Sequence, residues 1–236
     1  MIARMLPALL LAAAAVFDHS HATWTTQLGR FVHDGVVDYA GWKKAEPALD
    51  EYLRELVVVK REAFASFTRP EQLAFLIDAY NAYTVKTVLD HYPLSSIRSI
   101  GLLPGAAFRR SFIPLLDEEL SLNDVEGRLR DLRDPRIHCA LVCASKSCPK
   151  LRSSAYRGSE LDAQLDEAAR GFLGDPAKNR FEPGVARLSA IFKWYADDFR
   201  AGAGSVVGWV NRYAPVQLPP GARLQYLDYD WSLNGR

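Results

Sequence analysis

Between Arg69 and His91 the chain carries a segment that is apolar nearly all round. Leu73, Phe75, Leu76, Ile77, Tyr80, Tyr83, Val85, Val88 and Leu89 fall on every face of a helix, and a helix without a polar side has to be buried. Thr68 with Glu71 three residues later makes a capping-box pattern at its start. Tyr92-Pro93 ends it, because the residue before a proline leaves helical space. Other elements must therefore wrap around this segment. Asp78 and Asn81 lie in its middle, three apart and so on one face. Buried there, a carboxylate and an amide need partners, since an unmet polar group costs roughly several kcal/mol. They are hydrogen-bonded structural groups, the commoner case, or part of a site.

The remaining elements read as short pieces. Phe31 to Tyr39 has the pattern of a hairpin turning at Asp34-Gly35. Leu49 to Val59 has helical spacing. Ser111 to Leu120 reads as a hairpin, and Ser121 caps a helix from Leu122 to Leu132 with Asp124 and Glu126 in its first turn. Arg136 to Cys143 reads as a buried strand, followed by a tight loop and a helix or helical turns from Pro149 onward. Glu160 to Leu173 is amphipathic. Phe181 to Leu188 turns about Pro183-Gly184. Helices are expected over Ala190–Phe199 and Val206–Tyr213, and Leu224 to Trp231 alternates as a closing strand. The expected fold is α+β: a single, mainly helical domain whose short antiparallel or mixed sheet, holding the cysteine strand, packs around the buried central helix at about 69–91.

The first residues have the pattern of an export signal. One positive charge at Arg4 precedes an apolar run from Met5 to Phe17, and Ser20-His21-Ala22 offers small residues for cleavage after Ala22. The run is too short to span a bilayer. The expectation is a signal peptide over 1–22, a globular domain over 23–236, no integral membrane segment after cleavage, and a periplasmic or secreted location. Removal of His19 and His21 leaves His33, His91 and His138. His33 sits by a turn and His91 at a helix end, where a cation suits the dipole. A net charge of +1 argues against nucleic acid or an acidic membrane surface as the main partner. No nucleotide loop, zinc-protease helix or serine elbow is recognisable, and no cofactor is implied.

All three cysteines fall between Arg136 and Leu151. On a regular strand Cys139 and Cys143 would stand about 13 Å apart, beyond the roughly 7 Å that a disulfide allows. The loop between Cys143 and Cys148 can fold back, so these two are the disulfide candidate and Cys139 a buried free thiol. At a helix start before Pro149, with Lys146 nearby, Cys148 would be stabilised as thiolate. His138 is the histidine available as a base, although strand alternation turns it away from Cys143. One histidine and two cysteines also offer metal ligands, but their spacing is unlike that of the usual sites and a fourth ligand is not evident.

Several stretches together resemble one family. They are Ala74 to Thr84 on the central helix, Leu120 to Glu126, Arg136-Ile137-His138 leading into Cys143-Ala144-Ser145-Lys146-Ser147-Cys148-Pro149, Leu188 to Phe199, and Tyr229 to Asn234. Over almost the whole of the expected mature chain, the sequence is similar to the family called domain of unknown function 547. The family pattern usually has an apolar residue where Cys139 stands and Asn where Asp78 stands. The resemblance implies no activity.

Three functions follow from the residues. One is a thiol-dependent hydrolase or acyl transferase, with Cys148 as nucleophile, His138 as base and Asn81 or Asp78 as orienting group. A second is an envelope binding module whose Cys143–Cys148 disulfide shapes a loop displaying Ser145, Lys146 and Ser147. A third is a thiol redox protein using Cys143 and Cys148 reversibly. The expected ligand is a small molecule or a peptide. The aromatic clusters Phe192 to Tyr195 and Tyr226 to Trp231 could line a pocket, but core packing is the commoner use of such residues and is the expectation.

Overall fold

The computed structural model describes residues 17–103 and 105–235. Most of the proposed leader, residues 1–16, lies outside them; its last residues, 17–22, lie inside. In chain order the elements are α1 (Ala22–Phe31), β1 (Val32–His33), β2 (Val36–Val37), α2 (Tyr39–Lys44), α3 (Glu46–Val57), α4 (Arg61–Ser66), α5 (Arg69–Asp90) and α6 (Ala106–Arg109). There follow β3 (Ile113–Leu115), β4 (Glu118–Leu120), α7 (Leu122–Asp131), α8 (Leu161–Leu173), β5 (Arg180–Glu182), β6 (Val185–Leu188), α9 (Ile191–Trp194), α10 (Ala196–Ala203), α11 (Val206–Tyr213) and β7 (Arg223–Tyr226). The fold is mainly helical α+β.

Helix α5 is the spine that its composition demands. Thr68 and Glu71 close a reciprocal capping box at its start, and every residue from Leu73 to Val85 is buried. α2, α3, α7 and α8 pack on it, and Trp24 of α1 donates a hydrogen bond to its Asp78. Three small sheets lie around this helical body among the described residues: the β1–β2 and β3–β4 hairpins, and β5–β6 with β7 added in parallel to β6. The hairpins fall where the turn residues predict them. Asp34 and Gly35 both take positive φ, which suits a tight turn that glycine enters without strain.

Four expectations are corrected. The cysteine segment is not a strand. Pro135–Cys139 winds as a 3-10 helix, with Asp134 accepting the Arg136 N–H at 3.1 Å, and residues 140–148 run on irregularly. The alternation of apolar residues there reflects burial on two sides of a tight turn rather than a pleat. No helix opens at Pro149, since residues 149–157 are irregular. Ala190–Phe199 is not one helix but two, α9 and α10, broken at Tyr195, and the closing strand stops at Tyr226.

The buried apolar side chains form two clusters. The larger surrounds α5 and includes Trp24, Trp42 and Tyr52; the smaller joins α8 to α11 through Phe172, Phe192, Phe199 and Trp209 and takes in Cys139. Tyr229 packs against both. Phe17 also packs on the larger cluster, its ring 5.2 Å from that of Phe75, and His21 is buried with Nδ1 2.7 Å from the Tyr52 hydroxyl.

Candidate functional site

Cys143 and Cys148 are joined as a disulfide with Cα atoms 6.1 Å apart, and Cys139 is a buried free thiol whose pKa burial raises. The bond closes the turn that contains Ser145, Lys146 and Ser147. Ala144 takes a φ of 56°, and Cys148 N–H donates to the Ser145 carbonyl at 3.1 Å. Cys143 is half-buried and Cys148 buried. Two donors are directed at Cys148 Sγ: the Cys143 N–H at 2.9 Å and the Tyr229 hydroxyl at 3.1 Å. Ser145 Oγ donates in turn to the Tyr229 oxygen at 3.3 Å. Burial pushes the Tyr229 pKa up to about 12, so this phenol keeps its proton and remains a donor at neutral pH.

The disulfide lines a cleft of about 330 Å³. Tyr80 comes from α5, Asn123 and Glu126 from α7, Phe108 and Arg109 from α6, and Ile191, Trp194 and Tyr195 from the α9 region; Tyr229 and Trp231 come from the C-terminal segment. The cleft lies where the two apolar clusters meet. Four residues assigned to the core on sequence, Trp194, Tyr195, Tyr229 and Trp231, line it instead, while Phe192 is fully buried. A seam between two clusters wants apolar surface on each wall, and these rings supply it.

His138 lines the same cleft and is buried, stacked on Tyr195 at 3.9 Å between ring centroids. Its Nε2 lies 2.8 Å from Asp198 Oδ2, and Arg130 donates to both oxygens of that carboxylate at 2.7 and 2.9 Å. His138 and Arg130 hold the Asp198 carboxyl far below its ordinary range. Asp198 is thus the group that orients His138, a role expected of Asn81 or Asp78. His138 and the cystine share the cleft without a hydrogen bond between them. The electropositive helix start proposed for Cys148 is likewise absent, and the side-chain and backbone donors around its sulfur take that place.

Asn81 and Asp78 serve the frame. Asn81 Nδ2 donates to the Ala140 carbonyl at 3.1 Å and its Oδ1 accepts the Val142 N–H at 2.9 Å, which fixes the backbone entering the cystine turn. Asp78 Oδ1 accepts from Trp24 Nε1 and from the Tyr156 N–H, each at 3.2 Å, while Oδ2 lies 3.6 Å from His21 Nδ1. Burial pushes the Asp78 pKa well up against the pull of those two bonds, and pushes His21 down to about 4, so burial favours the uncharged form of each despite their proximity.

The Ser145–Ser147 turn is not a displayed loop. Ser145 is buried, Ser147 Oγ accepts the Asp230 N–H at 2.8 Å, and Lys146 N–H donates to the Ser232 carbonyl at 2.9 Å; of the three only Lys146 is exposed. No group of three or more His, Cys, Asp and Glu suited to a metal occurs among the described residues. No helix there is long and apolar enough to cross a membrane.

The fold and site define a mainly helical α+β protein with a cystine set into an aromatic cleft. Residues 64–173 match the model of the family described as "Protein of unknown function, DUF547", which supports the assignment of that segment to this family. The matched span holds α5, His138 and both bridged cysteines; Tyr195, Asp198 and Tyr229 lie beyond it. No curated protein and no solved structure matches the chain.

Proposed function

We propose that the protein is an exported thiol–disulfide exchange protein working through Cys143 and Cys148. The observation that carries this reading is the pair of donors on Cys148 Sγ at the floor of an open cleft. A sulfur that leaves as thiolate is stabilised by such donors, and stabilising the reduced form makes a disulfide more oxidising. The half-buried Cys143 is the sulfur an incoming thiolate can reach.

In the forward direction one thiolate of a substrate dithiol bonds to Cys143 Sγ. The bond between the two protein sulfurs breaks, and Cys148 leaves as thiolate into the Tyr229 and Cys143 N–H donors. The second substrate thiol loses its proton and attacks the first substrate sulfur, and Cys143 leaves in turn. The substrate is oxidised to a disulfide, and Cys143 and Cys148 take up two electrons and two protons. Equilibration with glutathione or dithiothreitol, read by thiol alkylation and mass, tests this. The expected potential lies above roughly −300 mV, where structural bridges are not found. A bridge that resists both reductants under native conditions would contradict the proposal.

The His138–Asp198 pair supports a second reading, a thiol hydrolase or acyl transferase of the reduced protein. Cys148 would be nucleophile, His138 base and Asp198 the orienting group. His138→Ala separates the two: it abolishes ester or amide turnover on the second reading and leaves the potential unchanged on the first.

A further inference from the structure

Beside the cleft lies an apolar surface that thiol exchange does not explain. Leu102 and Leu103 are adjacent and stand 103% and 66% exposed, and Trp194 on the cleft rim is 49% exposed. Other exposed large apolar residues, such as Val58 and Val216, are far from these in sequence and stand singly. Leu102, Leu103, Arg98 and Trp231 line one shallow depression, and Trp231 also lines the cleft, so patch and cleft mouth adjoin. Trp194 stacks on Trp231 with ring centroids 6.0 Å apart, and the Arg98 guanidinium sits 5.0 Å over the Trp231 ring.

The charge around this patch has one sign along the chain that carries it. Although the net charge of the chain is only +1, there is no acidic residue between Asp90 and Asp117, while Arg98 and Arg110 are present. The acids that flank Trp231 in sequence are Asp228 and Asp230, and Asp230 accepts the N–H and hydroxyl of Ser232. Exposed leucines at a loop tip, tryptophans at the rim and arginines behind them are the chemistry of an interfacial contact. The leucines enter the acyl boundary, the indoles take the headgroup level and the guanidiniums meet lipid phosphate.

We propose that the loop carrying Leu102 and Leu103, together with Trp194 and Trp231, docks the protein on an anionic lipid surface. The contact does not depend on the redox reading. It turns the cleft mouth toward the bilayer, so that amphiphilic or membrane-borne substrates reach the cystine first.

Vesicles of phosphatidylcholine with and without phosphatidylglycerol test this on the full-length chain by co-sedimentation. The wild type is expected on the anionic vesicles at low salt, with binding about tenfold weaker on neutral vesicles or at high salt. Leu102→Asp combined with Leu103→Asp lowers anionic binding by about tenfold or more, because two acids replace the inserted side chains. Residues 1–16 are common to both chains, so the difference reports the loop. These positions are exposed, and a circular dichroism melt of the double variant is expected to match the wild type. Of the five tryptophans, Trp24, Trp42 and Trp209 are fully buried, so quenching of the emission by brominated lipid reads Trp194 and Trp231. Equal binding by wild type and double variant overturns the proposal. So does a wild-type dimer that the double variant converts to monomer, since a second copy would then cover the patch.

Discussion

Tyr229 holds its hydroxyl against both sulfurs of the cystine, 3.1 Å from Cys148 and 3.2 Å from Cys143. Its donor role has a direct consequence for the redox balance. Tyr229→Phe keeps the ring in the cleft and removes the O–H, so the Cys148 thiolate loses one of two donors while the bridged form loses a weaker bond. The reduced state is destabilised and the potential falls. A hydrogen bond to a charged group is worth about 1.5–3 kcal/mol, and about 1.4 kcal/mol corresponds to 30 mV for this couple. The expected fall is therefore about 30–60 mV, measured by equilibration with dithiothreitol. An unchanged potential would mean that the hydroxyl serves packing alone. The residues of the site were only half legible in the chain. The two sulfurs and His138 stand close together in sequence, and their chemistry announces them. Tyr229 and Asp198 approach them from sequence separations of 81 and 60, and no local spacing encodes such a meeting. Asn81 and Asp78 share a face of α5 as expected, yet shared burial says nothing about which buried group lies opposite.

At the level of elements, α5 carries its own specification in its cap, its composition and the proline after it, and the short hairpins carry theirs in their turns. Pro135–Cys139 did not, because a tight turn buried on both sides and a strand buried on one have the same apolar spacing over so few residues. The polar cluster on α5 makes two predictions. A buried Asp78 that keeps its proton in the fold binds it in a pH range where the unfolded chain has released it. The fold then loses stability as pH rises from about 4 through the raised folded pKa. Asp78→Asn retains an acceptor for Trp24 and Tyr156 and removes this cost, so its melting temperature is expected to exceed the wild type's by a margin that grows from pH 4 to pH 7. A margin independent of pH would place the carboxylate in its charged form. His21, held neutral down to about 4, acts oppositely, and its contribution is lost as pH falls from about 6.5 toward 4. The second prediction concerns residues 17–22. A chain beginning at Thr23 lacks Phe17 and His21, and is expected to unfold more easily than one beginning at Phe17. The loss is about 2–3 kcal/mol, set by the apolar surface of one Phe and the hydrogen bond to Tyr52. Denaturant midpoints at constant m value measure it. Equal midpoints would place these residues outside the cooperative unit.

Across the whole molecule the cleft depends on a strap. The last residues cross from the smaller cluster to the larger and are pinned at each step: Ser147 N–H donates to the Asp230 carbonyl at 3.2 Å, Asn234 N–H to the Ala144 carbonyl at 3.2 Å, and Val37 N–H to the Asn234 carbonyl at 3.2 Å. Tyr39 adds a hydroxyl donated to Asn234 Oδ1 at 2.8 Å. The strap thereby ties the cystine turn to the β1–β2 hairpin and delivers Tyr229 and Trp231 to the cleft. Its end tolerates no side chain, since a Cβ on Gly235 would run into the Val37 carbonyl oxygen and the Tyr39 ring. Gly235→Ala should therefore lift the end of the strap at a cost of about 1–3 kcal/mol, the usual range for overpacking. The effect should travel to the site. The amides of Lys146 and Ser147, whose carbonyl partners belong to the strap, should exchange faster, and the potential should move with Tyr229. Gly171→Ala is the matched control, because that position lies inside α8 with open space around its Cβ. There the substitution is expected to stabilise the chain by about 0.5–1 kcal/mol and to leave exchange at Lys146 untouched. If both variants gave the same exchange pattern at the cystine turn, the strap would be a passive end of the chain, and the position of Tyr229 would have to be set by the aromatic cluster alone.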